Sequence, residues 1–352
     1  MIEQRLVRIE QELQRILPDT ADTQWFEEVC GSQGTAVDAE IVDRFCEPAR
    51  DLLKRGGKRW RPLLMVLTAE ALGGGQAGEL AYTLAPVVEL PHNGSLIIDD
   101  IEDGSDMRRG APAVHTQYGI DISINAGNLI YYLPTVCIDR SVLHDTAKLQ
   151  IYSIYSTYLR RVHFGQGFDI AWHRDLSYIP DHDSYQLMCM LKTGCLAGMA
   201  SEIGAAVAGA ETQSVSALGQ AAQRLGVAFQ VMDDVVNLET GNPGKMRGDD
   251  IIEGKKSLPM ILAFKRSGGR KEELEQMIRE VQEGHLRKEE VQSVIEEVIT
   301  LVESLGALEE ARNRAETLYE AVYEDFSRLL PVSPAREELL ALLLHMKQSS
   351  NS

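Results

Sequence analysis

The residues with the clearest potential for chemistry are an acidic cluster at Asp99, Asp100 and Asp103. Asp99 and Asp103 are four positions apart, which on a helix places both carboxylates on one face, about one turn apart. The apolar run 96–98 precedes them, as in a helix that enters a core. The predicted helix ends at Gly104, where the macrodipole disfavours each carboxylate by ~0.3–1 kcal/mol. Many acidic runs are only solvated helix ends, but this position favours a cation site.

A second acidic cluster, Asp233 and Asp234, repeats the arrangement further along the chain. The apolar run 227–229 precedes it, and Asn237 stands four residues after Asp233. No His or Cys has zinc-like spacing to either cluster. Carboxylate and amide oxygens are hard ligands that suit Mg²⁺. Two such clusters facing each other predict a magnesium site, to which Asn237 can still offer a neutral oxygen.

Basic residues accompany both acidic clusters, and all of them lie in a chain of formal net charge −18. Arginine matches phosphate oxygens with its planar fork, and Mg²⁺ can bridge the remaining oxygens. Each basic residue taken singly is better explained by a surface ion pair. Together with the acids they indicate a diphosphate ligand. These residues are Lys58, Arg59, Arg61, Arg108, Arg109, Lys192, Lys245, Lys255 and Lys256.

The elements that must position these residues are predicted to be helices, since alternating strand patterns are nearly absent. A seam of apolar residues from Ile2 to Ile16 predicts an N-terminal helix that docks on its own subunit or on a partner. The sequence therefore predicts one all-α domain, with residues 1–50 as an N-terminal helical extension and 51–352 as the main domain. Further helices are predicted over 60–72, 79–103, 121–142, 145–172, 184–209, 212–239 and 257–267.

Composition excludes several classes of protein. The 352 residues are 44 % hydrophobic and 25 % charged, which is ordinary for a globular chain. The excess of 53 acidic over 35 basic residues argues against a nucleic-acid binder. No apolar run approaches the ~18 residues that a membrane span needs, and the first residues lack the apolar stretch of a signal peptide. Five cysteines without a C-x-x-C pair predict reduced thiols and a cytoplasmic location.

From about residue 56 to residue 259 the chain resembles the trans-isoprenyl diphosphate synthases. The resemblance rests on six stretches in the order of the family: GGKRWRP (56–62), HNGSLIIDDIEDGSDMRRGAP (92–112), QGFDIAW (166–172), KTG (192–194), FQVMDD (229–234) and EGKKSLP (253–259). The chain is most similar to geranylgeranyl diphosphate synthases of eukaryotic type, several of which share Asn at position 237. The resemblance implies a single-domain orthogonal helical bundle around a deep central cavity, and a homodimer.

The reaction that the resemblance implies is the condensation of isopentenyl diphosphate with an allylic diphosphate, namely the dimethylallyl, geranyl or farnesyl compound. It requires Mg²⁺ and releases diphosphate. A terpene cyclase of the same fold and a non-catalytic subunit of a hetero-oligomeric prenyl synthase are the alternatives. Cyclases usually lack the GGKRxRP and RRG elements, and intact acidic and basic motifs argue against a non-catalytic subunit.

The resemblance also assigns roles to individual residues. It implies that three Mg²⁺ are held by Asp99, Asp100, Asp103 and Asp233. It implies that the allylic diphosphate is contacted by Arg108, Lys192 and Lys255, with Lys245 a weaker match. Isopentenyl diphosphate is assigned to Lys58, Arg61, His92 and Arg109, although a lone helix histidine such as His92 is more often structural. Gln230 and Thr193 are placed beside the developing carbocation, with Asp234, Gln166 and Asp169 as supporting partners.

The resemblance also assigns product length to residues that limit the pocket for the growing chain. Two of them lie just upstream of the first acidic cluster, and two lie deeper, at the floor of that pocket. Gly94 and Ser95 are small where farnesyl-length enzymes commonly carry an aromatic ring. Tyr131 and Tyr132 occupy the stretch where similar geranylgeranyl synthases keep bulky rings. The expected product is therefore geranylgeranyl diphosphate. The alternative is that both tyrosines are ordinary core or dimer-interface residues.

Overall fold

The computed structural model describes residues 2–31, 37–175, 177–241, 246–282 and 286–349. Within these ranges the regular structure is helical apart from one two-stranded hairpin, which confirms the predicted all-α class. None of the described helices combines the length and apolar character that crossing a membrane requires.

The described helices and strands follow one another along the chain with short connections. The α-helices are α1 (Ile2–Ile16), α2 (Thr23–Cys30), α3 (Ala39–Lys54), α4 (Trp60–Thr83), α5 (Ala85–Glu102), α6 (Val114–Tyr118), α7 (Ile120–Tyr132), α8 (Thr135–Arg140), α9 (Asp145–Arg174), α10 (His182–Cys189), α11 (Cys195–Val207), α12 (Thr212–Glu239), α13 (Asp249–Ile252), α14 (Leu258–Arg266), α15 (Lys271–Gln282), α16 (Lys288–Ser304), α17 (Ala307–Leu329) and α18 (Pro334–Ser349). The strands are β1 (Met107–Arg108) and β2 (Ala111–Pro112), a π-helical turn covers Met190–Gly194, and a 3₁₀ turn covers Gly268–Arg270.

The chain divides into two compact units, each assembled from three stretches. Unit 1 comprises residues 1–159, 199–219 and 329–339, and unit 2 comprises residues 160–198, 220–328 and 340–352. Residues 1–50 belong to unit 1, and the predicted division of the chain at residue 50 stays a prediction.

Helix α5 carries the first acidic cluster and contacts several other helices of unit 1. It packs against α1, α3, α4 and α7, with Leu90 and Ile97 fully buried. Helix α1 packs on α4 and α5 through Ile9 and Leu13, which are also fully buried. The predicted N-terminal helix therefore docks on its own chain.

The run Gly73–Gly75 interrupts α4, as the sequence predicts. Gly74 adopts a φ of 73°, which is accessible to glycine and strained for other residues. The helix then resumes and continues to Thr83, so the junction between α4 and α5 falls at Leu84. The single helix predicted over 79–103 is wrong in this detail, because its first turn belongs to α4.

In unit 2 the π-helical turn lies against both α9 and α12. A Cβ atom on Gly165 of α9 would lie 2.3 Å from the backbone nitrogen of Lys192. On the other side, a Cβ on Gly226 of α12 would lie 2.4 Å from the Cα of Gly194. These glycines allow the backbones to approach, which fixes the turn that carries Lys192 and Thr193. A π-helical turn within a helix is frequent at functional sites.

Candidate active site

The first acidic cluster lies at the C-terminal end of α5, as predicted. Asp103 caps the helix, and its N–H donates to the carbonyl of Asp99 at 2.8 Å. The side chain of Asp100 is fully buried, and Oδ1 accepts two hydrogen bonds from Arg108, of which the bond from Nε is 2.8 Å long. Oδ2 of Asp100 is buried and has no hydrogen-bond partner among the described residues. Burial raises the pKa of Asp100, although Arg108 opposes the shift.

A buried carboxylate oxygen without a hydrogen bond is costly unless a ligand satisfies it. Oδ2 of Asp100 therefore fits a hard cation such as Mg²⁺, which binds one or two carboxylates and takes its other ligands from water and phosphate. Within the described ranges, no three His, Cys, Asp or Glu side chains are gathered closely enough to hold a metal ion.

The hairpin after α5 presents the two predicted arginines. Arg108 pairs with Ala111 across β1 and β2, so Arg109 and Gly110 form a two-residue turn. Both turn residues have positive φ, 51° for Arg109 and 75° for Gly110, as a type I′ turn requires. Arg108 faces Asp100, and its Nη2 also lies 3.7 Å from Oδ2 of Asp99. The arginine assigned to the allylic diphosphate thus contacts the first acidic cluster.

Three residues assigned to isopentenyl diphosphate, Arg61, His92 and Arg109, lie in unit 1 near Arg108, and we call these four residues the cation cluster. Nη1 of Arg61 lies 3.3 Å from Nε2 of His92. The Arg61 guanidinium lies 4.4 Å from the centroid of the Trp60 ring. Burial is the main cause that holds the pKa of His92 well below its usual value, and the charges of four arginines act in the same direction, in the order Arg61, Arg109, Arg59 and Arg108.

Arg109 is held by two acceptors. Its Nη1 donates to the side-chain oxygen of Asn93 at 3.1 Å and to the carbonyl of Leu52 at 3.2 Å. Burial, and then repulsion by Arg59, lowers the pKa of Arg109 to about 10, so it remains a cation at neutral pH. Lys58 is exposed in the loop before α4.

The second acidic cluster lies near the end of α12 in unit 2, and its two acids differ in burial. Asp234 is buried and accepts hydrogen bonds from the Tyr185 hydroxyl at 2.6 Å, Gln230 Nε2 at 3.0 Å and the Leu258 N–H at 3.0 Å. Burial raises the pKa of Asp234 to about 6. Asp233 is half-buried and more accessible. Asp234 is thus held by protein groups, and its role as a supporting residue and the metal role of Asp233 both stay predictions.

The structure brings together Gln230 and Thr193, the two residues assigned to the region beside the carbocation. The Thr193 hydroxyl donates to Oε1 of Gln230 at 2.8 Å, and Gln230 in turn donates to Asp234. Nζ of Lys192 donates to Oδ2 of Asp169 at 2.6 Å, so Asp169 is a partner of Lys192.

Two further predicted residues of unit 2, Asn237 and Lys255, already have partners in the protein. Oδ1 of Asn237 faces the N–H of Asp250 at 3.4 Å, and its Nδ2 is buried without a partner in the described residues. The oxygen that the sequence offers to a metal is therefore already engaged. Lys255 forms an ion pair with Glu253. Lys245 lies outside the described residues.

The four residues assigned to product length differ in burial, and Gly94 lies against Tyr131. Gly94 is buried against α7, and a Cβ there would lie 2.9 Å from the carbonyl oxygen of Gly127 and 3.5 Å from Cε1 of Tyr131. Ser95 is half-buried and donates from its hydroxyl to the carbonyl of His92. Tyr131 is 5 % exposed and Tyr132 is 71 % exposed. Tyr131 is thus buried within unit 1 whereas Tyr132 is exposed on this chain, and the assignment of both tyrosines to the pocket floor stays a prediction.

Sequence reasoning missed three buried polar residues, Glu89, Asn93 and Tyr185. Glu89 and Asn93 lie one turn apart on α5 among apolar neighbours, and both are buried. An acid within the apolar run 84–91 is the signal that could have identified them. Tyr185 has no such signal, because its contact with Asp234 depends on the packing of α10 against α12 and α14.

Comparison with known proteins identifies the family of the chain. The polyprenyl synthetase family model matches residues 42–298. The chain is 34 % identical over 309 residues to a geranylfarnesyl diphosphate synthase of Aeropyrum pernix, covering 86 % of this chain and 93 % of the relative. It is 32 % identical over 295 residues to a geranylgeranyl pyrophosphate synthase of Geoglobus acetivorans, covering 84 % and 87 %.

A solved structure shows the same fold. The crystal structure of a geranylgeranyl pyrophosphate synthetase from Pyrococcus horikoshii superposes with a TM-score of 0.81 at 26 % identity, covering 99 % of each chain. The all-α fold and the matched sequence define an enzyme of the prenyltransferase class that elongates prenyl chains. The chain belongs to the polyprenyl synthetase family.

Proposed function

We propose that the chain catalyses the Mg²⁺-dependent condensation of isopentenyl diphosphate with an allylic diphosphate. The observation that carries this proposal is the cation cluster of unit 1 beside the first acidic cluster. The three arginines of this cluster, together with Arg59, all act electrostatically on the neutral His92, in a chain of net charge −18. Like charges gathered in a partly buried place indicate an anionic ligand, and the fork of each arginine suits a diphosphate.

The residues proposed to hold Mg²⁺ are Asp99, Asp100, Asp103 and Asp233, with three ions per active site as the family resemblance implies. Oδ2 of Asp100 supports this assignment, because it is a buried carboxylate oxygen without a hydrogen bond in the described residues. When bound, the metal supplies positive charge that stabilises the departing diphosphate.

The protein residues are proposed to bind and orient the two substrates. Arg108, Lys192 and Lys255 contact the allylic diphosphate, whereas Lys58, Arg61, His92 and Arg109 hold isopentenyl diphosphate. The bond between the allylic carbon and diphosphate oxygen breaks, and a carbon–carbon bond forms with the isopentenyl alkene. A proton is then lost to the released diphosphate. Positioning of the alkene supplies much of the rate, since the reacting carbons must meet in a dry pocket.

Gln230 and Thr193 are proposed to lie beside the allylic cation. The Thr193 hydroxyl and the Asp234 carboxylate fix both ends of the Gln230 amide. A fixed amide dipole can stabilise developing charge without reorganising during the reaction.

The proposed main product is geranylgeranyl diphosphate. One relative at 32 % identity carries the name of a geranylgeranyl synthase, and another at 34 % that of a geranylfarnesyl synthase. The proposed starters are the dimethylallyl, geranyl and farnesyl diphosphates. A chain one isoprene unit longer than geranylgeranyl is the competing outcome.

We also propose a homodimer. Ile120, Ile124 and Tyr132 lie on one face of α7 at spacings of four and eight, and are 56 %, 41 % and 71 % exposed. An apolar helix face of this kind supports an interface with a second copy. The proposed cytoplasmic location rests on the cysteine pattern alone.

One experiment tests the proposed reaction and separates the alternatives. The protein is incubated with Mg²⁺, labelled isopentenyl diphosphate and each allylic starter in turn, and products are separated by chain length. Label in geranylgeranyl diphosphate, abolished by a chelator, is the expected result. A cyclic hydrocarbon formed without isopentenyl diphosphate indicates a terpene cyclase. No turnover with any starter indicates a non-catalytic subunit.

A further inference from the structure

Two arginines of unit 1 share an uncommon backbone conformation. Among the described residues, Arg59 and Arg109 are the non-glycine residues with positive φ, 47° and 51°. Such residues persist only where the surrounding structure fixes them, and they cluster at functional sites. Both guanidinium groups lie against Gly57, where a Cβ would be 3.1 Å from Nη1 of Arg59 and 3.2 Å from Nη2 of Arg109.

The side chain of Arg59 does not reach solvent. Its Nη1 donates to Oε1 of Glu89 at 2.8 Å, and the two side chains are 2 % and 3 % exposed. Nη2 donates to the carbonyl of Leu53 at 2.7 Å. A buried ion pair is retained only when its remaining polar groups are also satisfied, so these contacts leave Arg59 one orientation.

Asn93 connects this ion pair to Arg109. Its Nδ2 donates to the Glu89 carbonyl at 2.9 Å and to Glu89 Oε1 at 3.1 Å. Its Oδ1 accepts from Nη1 of Arg109 at 3.1 Å. The two acceptors on Glu89 fix which end of the amide faces Arg109. Both hydrogen bonds described for Arg109 use Nη1, so its Nε and Nη2 side is left for a ligand.

The N-terminal helix α1 completes the network. Oε1 of Glu10 accepts from Nε of Arg59 at 2.7 Å. The Glu10 side chain is 47 % exposed, whereas that of Arg59 is buried. Glu10 thus supplies, from outside the matched family region, the second carboxylate that faces Arg59.

We propose that Glu10, Arg59, Glu89 and Asn93 are positioning residues that hold the guanidinium of Arg109 for the diphosphate of isopentenyl diphosphate. Helix α1 then contributes to the isopentenyl diphosphate site through Glu10. This inference rests on the proposed function, because it names how one substrate of that reaction is held. We call the four residues the Arg109 relay.

Glu10→Gln is the sharpest test. It removes one carboxylate charge from a half-exposed side chain and leaves the apolar core intact. The relay predicts that KM for isopentenyl diphosphate rises about three-fold, within the range measured for coupled networks, while kcat and KM for the allylic substrate stay within error. Calorimetric titration with isopentenyl diphosphate alone should show the same loss of affinity. The matched control is Arg8→Gln, which removes the exposed ion pair of α1 with Glu79 but does not touch Arg59.

Asn93→Ala tests the contact nearest Arg109 and should raise KM for isopentenyl diphosphate at least about five-fold. Its thermal melting is measured alongside, so that the kinetics refer to folded protein. Equal affinity of the parent and Glu10→Gln, or an equal loss in Arg8→Gln, would overturn the relay while leaving the proposed function in place. A parent protein that neither binds isopentenyl diphosphate nor condenses it would overturn both.

Discussion

Nε2 of His92 accepts a hydrogen bond from Nη1 of Arg61 across 3.3 Å, because a guanidinium can only donate. The imidazole therefore carries its proton on Nδ1 and is neutral. Burial first, and then the charges of the surrounding arginines, hold the pKa of His92 well below its usual value. His92 thus contributes a hydrogen bond to the cation cluster without adding a further positive charge.

Because His92 is neutral in the folded protein, the free energy of unfolding depends on pH below about pH 6.5. The unfolded chain protonates this histidine near pH 6.5, and the folded protein does so only at lower pH. Below about pH 6.5 the unfolded state therefore binds more protons, and the free energy of unfolding falls by up to about 1.4 kcal/mol per pH unit. His92→Gln should remove this contribution. Urea midpoints measured from about pH 6.5 down to pH 5 should decline less steeply in the variant than in the parent.

Asp99 and Asp100 are predicted to differ in what their removal does to the fold. Both Asp99→Ala and Asp100→Ala should lower turnover by orders of magnitude, because each removes a proposed metal ligand. Only Asp100→Ala should also destabilise the protein, by about 2 kcal/mol, since it removes the buried carboxylate that accepts from Arg108. Melting temperature and steady-state rate at saturating Mg²⁺ are measured on the same preparations.

The control for this pair is Asp103→Ala, which should behave like Asp99→Ala. Near-parental turnover in either Asp99→Ala or Asp103→Ala would remove the basis of the metal assignment. Equal melting temperatures for Asp99→Ala and Asp100→Ala would show that the contact between Arg108 and Asp100 contributes nothing to stability.

Two glycines on α9 offer a matched test of the π-helical turn. Gly165→Ala places a methyl group 2.3 Å from the backbone nitrogen of Lys192, so the turn or the helix must shift. We expect a loss of about 1–3 kcal/mol in stability and a lower kcat, because Lys192 and Thr193 move with the turn. Gly167→Ala meets no atom within 4 Å and should stabilise the helix slightly. Chemical denaturation of both variants checks this, and a tolerated Gly165→Ala would contradict the close contact.

Much of the fold could be predicted from local sequence. Helix α12 spans 212–239 as predicted, because its apolar periodicity is uninterrupted and Gly241 follows. The glycine run at 73–75 correctly predicted the break in α4. The boundary at Leu84 was missed, although Pro86 in the first turn of α5 is a helix-start signal that the sequence offers.

Residues of the candidate site could be predicted where they form a short sequence motif, as the aspartates and the arginines of the hairpin do. The supporting residues were not. Glu10 contacts Arg59 across 49 positions, and Tyr185 contacts Asp234 across another 49. These contacts arise from the packing of helices that are distant in sequence, and helical periodicity carries no information about them.

Gly94 illustrates the same limit for product length. The sequence suggests that Gly94→Phe would shorten the product by filling the pocket. In the structure, however, even a Cβ at this position would lie 2.9 Å from the carbonyl oxygen of Gly127. A ring there must separate α5 from α7. We therefore expect Gly94→Phe to lower the melting temperature and the yield of folded protein, so it does not report on the pocket floor.

The two tyrosines provide a cleaner test of product length. Tyr131 is buried within 3.5 Å of the Cβ position of Gly94, whereas Tyr132 is 71 % exposed on the next face of α7. If Tyr131 forms the floor, Tyr131→Leu should shift the main product by one isoprene unit, because a smaller side chain deepens the pocket. Tyr132→Ala should leave the product distribution unchanged. Chromatography of dephosphorylated products compares both variants with the parent, and an unchanged distribution in Tyr131→Leu would place the floor elsewhere.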